Sequence, residues 1–230
     1  DRALVTHYSL QENPSSGLDI NDPIFILLTN VRKCMLPAEI KEISARKQEI
    51  LGAAQQLFRE KGFVAASMRD LANELGIRPA SLYSHYSSKD EILWEIAIRS
   101  AHEFYQVVMP ITEKEMLPEP KLQVMMRAHT RVMIRNINAS AIFFKEWKRL
   151  EPEKRTQYET VISTYEGKFI EVLREGMEAG VFRTGDARFL TSMLLSSVNW
   201  IPDWYREEGK MTVDDIADAS ADFVLNGLRH

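Results

Sequence analysis

The side chains that invite a chemical reading do not assemble into a catalytic centre. Five histidines, at positions 7, 85, 102, 129 and 230, are dispersed with no Cys or carboxylate at metal-ligand spacing, and Cys34 is the single cysteine in 230 residues. Glu103 beside His102 falls on an outer helix face and reads as solvated. There is no Gly-rich phosphate loop, no H-E-x-x-H and no G-x-S-x-G, so an enzyme, a metal site or a cofactor is not expected. One cysteine also excludes an internal disulfide framework. A different chemistry is concentrated in one short stretch, where Arg78, Pro79, Ala80, Ser81, Tyr83, Ser84 and His85 crowd together. Small and hydrogen-bonding groups at the start of a short helix, followed by a phenol and an imidazole, suit a helix that enters a DNA major groove and reads base edges and phosphates.

The elements that must position this helix are legible on both sides of it. Ser67 with Asp70 makes an S-x-x-D capping box, and Met68, Leu71, Ala72 and Leu75 follow at helical spacing. Gly76 supplies a corner, Ile77 plugs the angle, and Pro79 sits at a tolerated first-turn position of a second helix, Pro79 to about His85, with Leu82 and Tyr86 inward. Upstream, a supporting helix from about 38 to 61 carries Ile43, Ile50, Leu51, Ala54, Leu57 and Phe58 and ends at Gly62. Downstream, Ser87 with Asp90 is expected to cap a helix bearing Leu93, Ile96, Ala97, Ser100, Phe104, Val107, Val108 and Ile111. Lys89, in its first turn, is expected on a DNA phosphate. Arg46, Ser67, Met68 and Arg69 complete the expected DNA-facing set.

The runs LFREKGF, SMRDLANELGI and LYSHYSSKDEIL resemble the TetR family of one-component transcriptional repressors, which typically has LYxHFxxKxxL at the last of them. The resemblance covers about residues 45–95. Arg78 stands where Ser or Thr is common, and Tyr86 where Phe is usual. The resemblance implies an all-α fold: an N-terminal three-helix helix-turn-helix DNA-binding domain, then a C-terminal helical ligand-binding and dimerisation domain. It also implies a double-stranded DNA operator as partner and repression as the default action.

Composition agrees with a globular chain, with 45% hydrophobic and 27% charged residues and a net charge of -4. From Ala38 to Asp90 basic residues slightly outnumber acidic ones, so the acidic excess lies elsewhere. No apolar run is long enough to span a bilayer and the first residues lack a secretory pattern, so no membrane partner and a cytoplasmic location are expected. The domains are expected at 1–37 (an extension of unclear role), 38–90 (the DNA reader) and 91–230 (the effector-binding and dimerisation domain).

In the last of these, helices are expected from Pro120, over about 139–150, from Pro152 to Ala179, from Asp186 to Glu208 with a bend at Pro202, and after a Thr212/Asp215 capping box. Phe104, Val108, Met125, His129, Met133, Phe144, Trp147, Tyr165, Phe169, Trp200 and Trp204 are candidate lining for an apolar pocket, although aromatics and Met at helical spacing equally make plain core. His129, on an otherwise apolar face, needs a polar partner, from a ligand or from a neighbouring side chain. FFKEWKRL and NWIPDWY are similar to TetR members that control fatty-acid catabolism, which implies a small apolar effector such as a fatty acyl-CoA. Its phosphates would meet Arg127, Arg131, Lys145 or Lys148. A homodimer is expected through Met193, Ser197, Ile201, Ala217, Ser220, Ala221, Val224 and Gly227, so that two heads read a palindrome. The competing reading is a helical ligand-binding or interaction protein whose helix-turn-helix does not engage DNA.

Overall fold

The computed structural model describes residues 42–229, and the expected N-terminal extension, with His7 and Cys34, lies outside them. Ten α-helices and a short 3₁₀ turn follow in order, with no strand among the described residues. The first, α1 (Ala45–Lys61), starts later than the expected 38, because Ser44 accepts the Lys47 backbone N–H at 3.3 Å and residues 42–44 are not helical. Next, α2 (Met68–Glu74) opens with the expected capping box: the Ser67 hydroxyl accepts from Asp70 N at 3.1 Å, and Asp70 Oδ2 accepts from Ser67 N at 3.0 Å. The corner needs Gly76, whose φ of 62° is strained for any residue with a Cβ. It leads into α3 (Pro79–Tyr83), which is shorter than the expected Pro79–His85.

The cap of α4 (Lys89–Thr112) is one residue later than expected. Ser88 accepts from Glu91 N at 3.2 Å, while Glu91 Oε2 accepts from Ser87 N at 2.7 Å and from the Ser87 hydroxyl at 2.8 Å. The longer glutamate reaches back past the cap, which the Asp90 of the expected box does not do. Beyond it, α5 (Pro118–Arg135) begins at Pro118 rather than Pro120, and α6 (Ile137–Glu146) runs into a 3₁₀ turn (Trp147–Arg149). With 27 residues, α7 (Pro152–Glu178) is about 40 Å long.

The expected helix from Asp186 to Glu208 is two helices, α8 (Ala187–Asn199) and α9 (Ile201–Trp204). Pro202 has no N–H to give and its ring crowds the carbonyl four residues back, so the chain breaks at Trp200 instead of bending. The last helix, α10 (Val213–Leu228), carries the expected Thr212/Asp215 capping box. The core is built round α4, which packs on α5, α6 and α7, while α10 lies along α5 and α1 leans on α6. The far end of α4 from its cap therefore lies inside the C-terminal bundle, and its capped end holds the reader helices.

Candidate DNA interface and effector cavity

The short α3 is positioned from beneath. Leu82 and Tyr86 are fully buried, so the helix is pinned by its inner side and turns Arg78, Pro79, Ala80, Ser81, Tyr83 and Ser84 to solvent. Tyr83 is 52% exposed, a large aromatic left out of the core. Arg69 and Ser67 are exposed beside it, and His85 is half-buried. Together with Val64, Arg69 and Tyr83 border an open concavity of about 640 Å³. Such a row of donors on one convex helix can face a groove edge.

Three expected members of the set are otherwise engaged. Met68 is 8% exposed and belongs to the core, because the same face that starts α2 must also bury it. Arg46 pairs with Glu49 one turn on. Lys89 does not point its ammonium outward. Its Nζ donates to the carbonyls of Phe63 at 2.9 Å, Ala66 at 3.0 Å and Val64 at 3.2 Å, and lies 4.7 Å from the Phe63 ring centroid. An ammonium has three N–H donors, and these carbonyls take all of them, so Lys89 ties the α1–α2 turn to the start of α4 instead of meeting a phosphate.

The cavity is built on α4, α5, α6, α7 and the end of α8. Ala101, Phe104 and Tyr105 of α4 face His129 of α5, Phe143 and Phe144 of α6, Ile162, Tyr165 and Glu166 of α7, and Leu195 and Asn199 of α8. Phe104 lies 4.7 Å from the His129 ring and 5.8 Å from Phe143, centroid to centroid. The imidazole has two partners from side chains: Asn199 Oδ1 at 3.1 Å from Nε2 and the Tyr165 hydroxyl at 2.8 Å from Nδ1. An amide oxygen only accepts, so Nε2 carries the proton and Nδ1 accepts from Tyr165. Burial holds the His129 pKa down to about 4 against a smaller opposing pull from Asn199, so the ring is neutral near pH 7. Burial also raises the Glu166 carboxyl, opposed by Arg188, and raises Tyr165 well above the usual phenol range.

The void among these side chains is about 30 Å³, room for about one water, whereas sites for small molecules run to roughly 300–1,000 Å³. An effector would have to open it. Phe104, His129, Phe144 and Tyr165 are the expected residues that line it. Val108, Met125, Met133 and Phe169 are fully buried and serve as core around it, and Trp147 is stacked on Tyr158 at 5.3 Å. Trp200 and Trp204, 64% and 50% exposed, are turned out by the break before α9 and are not lining. Tyr105, Glu166 and Asn199 line the cavity without being among the expected residues; a polar residue on a mainly apolar helix face is the signal that marks the last two. Three of the four expected phosphate partners are likewise occupied, and the fourth, Lys148, is exposed. Arg127 pairs with Asp218 at 2.8 Å, Arg131 with Asp214 at 2.7 Å and Lys145 with Asp203, and Lys148 lies 5.7 Å from the Trp147 ring centroid.

The outer faces of α8 and α10 carry Phe189, Met193 and Phe223, which are 61%, 56% and 73% exposed. Met193 and Phe223 border a groove with Ser197 and Gly227, both also exposed. Ile201, Ala217, Ala221 and Val224, expected on the same outer surface, are buried within the protomer, and Ser220 is half-buried. The small residues of α10 let that helix approach its own α5. Among the described residues no group of His, Cys, Asp and Glu could hold a metal ion, and no helix is long and apolar enough to cross a membrane.

Known proteins share this fold. Residues 50–96 match the model of bacterial regulatory proteins of the tetR family, and residues 116–228 that of the tetracyclin repressor-like C-terminal domain. The HTH-type transcriptional repressor KstR2 of Rhodococcus jostii (strain RHA1) is 29% identical over 187 residues, which are 80% of this chain and 92% of that protein. The ketosteroid transcriptional regulator KstR2 of Mycobacterium tuberculosis has a solved structure that is 25% identical, covers 82% of this chain and 97% of its own, and superposes with a TM-score of 0.76. The crystal structure of the TetR family transcriptional regulator PfmR from Thermus thermophilus is 35% identical, covers 79% of this chain and 99% of its own, and gives a TM-score of 0.71. The chain belongs to the TetR family of bacterial transcriptional regulators.

Proposed function

We propose that this regulator is a homodimeric repressor that holds a palindromic operator through α3 and lets go when a small apolar effector, such as a fatty acyl-CoA, enters the cavity. The observation that carries this reading is α4 itself. One end is capped by Ser88 next to the reader, and its middle supplies Ala101, Phe104 and Tyr105 to the cavity wall. A void of about 30 Å³ cannot accept an acyl chain without moving that wall, and a rigid helix carries the movement to the reader. Because only differential affinity shifts an equilibrium, the effector must prefer the conformation whose two heads are wrongly spaced for DNA. The wall is mainly apolar, with a polar edge at His129, Tyr165 and Asn199 and the Glu166 carboxyl beside it, which suits a chain that is apolar over most of its length. A CoA phosphate would have to draw Arg127 or Arg131 away from the aspartates of α10.

The test is a gel shift with duplexes from around its own gene, titrated with octanoyl-CoA in the presence of excess random-sequence competitor. A discrete shift that the competitor spares and octanoyl-CoA reverses is expected. No shift above the competitor removes the repressor reading, and a shift that no acyl-CoA reverses removes the effector class alone.

A further inference from the structure

A second physical route leads from the cavity to the reader, through the joint between α8 and α9. Asn199, the last residue of α8, walls the cavity and holds His129 through its Oδ1. Three residues on, the Pro202 carbonyl accepts from Arg59 Nη2 at 3.4 Å, and Arg59 Nη1 donates to Asn138 Oδ1. Arg59 stands in the last turn of α1, whose other side, with Ile50, Leu51, Ala54 and Phe58, is reader core. The four-residue α9 is gripped from a second side as well. Lys145 of α6 pairs with Asp203 and lies 5.9 Å from the Trp200 ring centroid. An open cleft of about 520 Å³ lies among α1, α6 and α9 around these contacts; α1 packs directly on α6, whereas towards α9 it is the exposed polar links that set how the end of α1 stands against the joint.

We propose that Arg59 is a positioning residue for operator binding, through which the joint from Asn199 to Asp203 reports the state of the effector cavity to the reader. With the cavity closed, Asn199 is fixed by His129, the joint is fixed by Asn199, and Arg59 holds the end of α1 in register with it. Anything larger than a water displaces the His129–Asn199 pair. The displacement passes along three residues of chain to the carbonyl that Arg59 needs, and the last turn of α1, still packed on α6, loses its tie to the joint. This route is separate from α4, and it uses no atom that touches DNA. For its DNA readout it rests on the repressor reading above.

The test compares the full chain with its Arg59→Ala, Asn199→Ala and doubly substituted variants by two readouts. In hydrogen–deuterium exchange without DNA or effector, Asn199→Ala should speed exchange in the last turn of α1, and Arg59→Ala should speed it between 198 and 205. On a duplex selected by the unmodified protein from a random pool, each single variant should bind about fivefold more weakly, the loss expected for one modest hydrogen-bonded link. The slope of affinity against salt should stay unchanged, because no phosphate contact is lost. The double variant should be no weaker than the weaker single one, since both cut one route. Exchange that changes only on the substituted side, or affinity losses that multiply, overturns the proposal. If no duplex is selected, the repressor reading fails and the exchange result alone decides the joint. Should Asn199→Ala lose its helical circular dichroism, Asn199→Ser takes its place.

Discussion

His129 is a neutral ring sealed in an apolar wall, and that makes it a pH liability of known sign. Its folded pKa of about 4 lies below the ordinary 6.5, so between these values the unfolded chain binds a proton that the folded chain refuses. Its contribution is complete above pH 6.5, is lost as pH falls towards 4, and levels off below; the whole span is worth about 3 kcal/mol. Urea unfolding at pH 7.5 and 4.5 should show a loss about 2–3 kcal/mol larger for the unmodified protein than for His129→Gln. Equal losses would mean that the ring is not held neutral. Lys89 gives the second prediction at this scale. With its three donors spent on the Phe63, Val64 and Ala66 carbonyls, Lys89→Ala should cost about 1–2 kcal/mol of stability, since a half-exposed turn can re-satisfy those carbonyls in part with water. The salt slope of operator binding should not move. A slope lower by about one would put Lys89 on a phosphate after all.

At the scale of elements, the cavity wall decides whether α4 can be driven. Ala101→Val adds two methyls to a void with room for about one water, a modest overpacking that should cost about 1–2 kcal/mol. Operator binding should persist while the octanoyl-CoA needed for half-release rises at least about tenfold; an unchanged midpoint would show that the chain enters elsewhere. Where local chemistry decides, the sequence suffices. Ser67 with Asp70 and Thr212 with Asp215 form the expected boxes, and the apolar periodicity of α1, α2 and α4 marks their buried sides, save that Val107, expected on the inner face of α4, is 40% exposed. Two neighbouring serines at 87 and 88 cannot be ranked by pattern, because the choice turns on the extra reach of Glu91. A proline inside an apolar run reads equally as a bend or a break, and the break at Trp200 moves two tryptophans from the expected pocket to the surface. Periodicity also tells which residues share a face without telling which neighbour covers it. Ala217 and Ala221 go to α5, a choice made by the packing of whole helices.

For the whole molecule, the question is what covers Phe189, Met193 and Phe223. One α3 spans only a few base pairs, too few to single out a site among those a genome offers; two heads on a two-fold axis, with centres about 34 Å apart or a related spacing, combine their discrimination. A self-complementary face is therefore required by the repressor reading. The outer sides of α8 and α10 are suited to it, since large side chains 56–73% exposed on two adjacent helices are costly to leave in water. Phe223 is the most exposed of them and contributes twice to any two-fold interface. Burying each copy is worth about 1.5–3 kcal/mol, so Phe223→Arg, which also brings like charges together, should weaken the dimer at least about a hundredfold. Sedimentation velocity at micromolar concentration should show a dimer for the unmodified chain and a folded monomer for Phe223→Arg. The monomer should keep its helical circular dichroism, because the side chain it lost was outside the protomer core, yet it should lose specific operator binding. A variant that stays dimeric would move the interface to another face of the C-terminal bundle, and a monomeric variant that still binds its operator tightly would remove the need for a dimer at all.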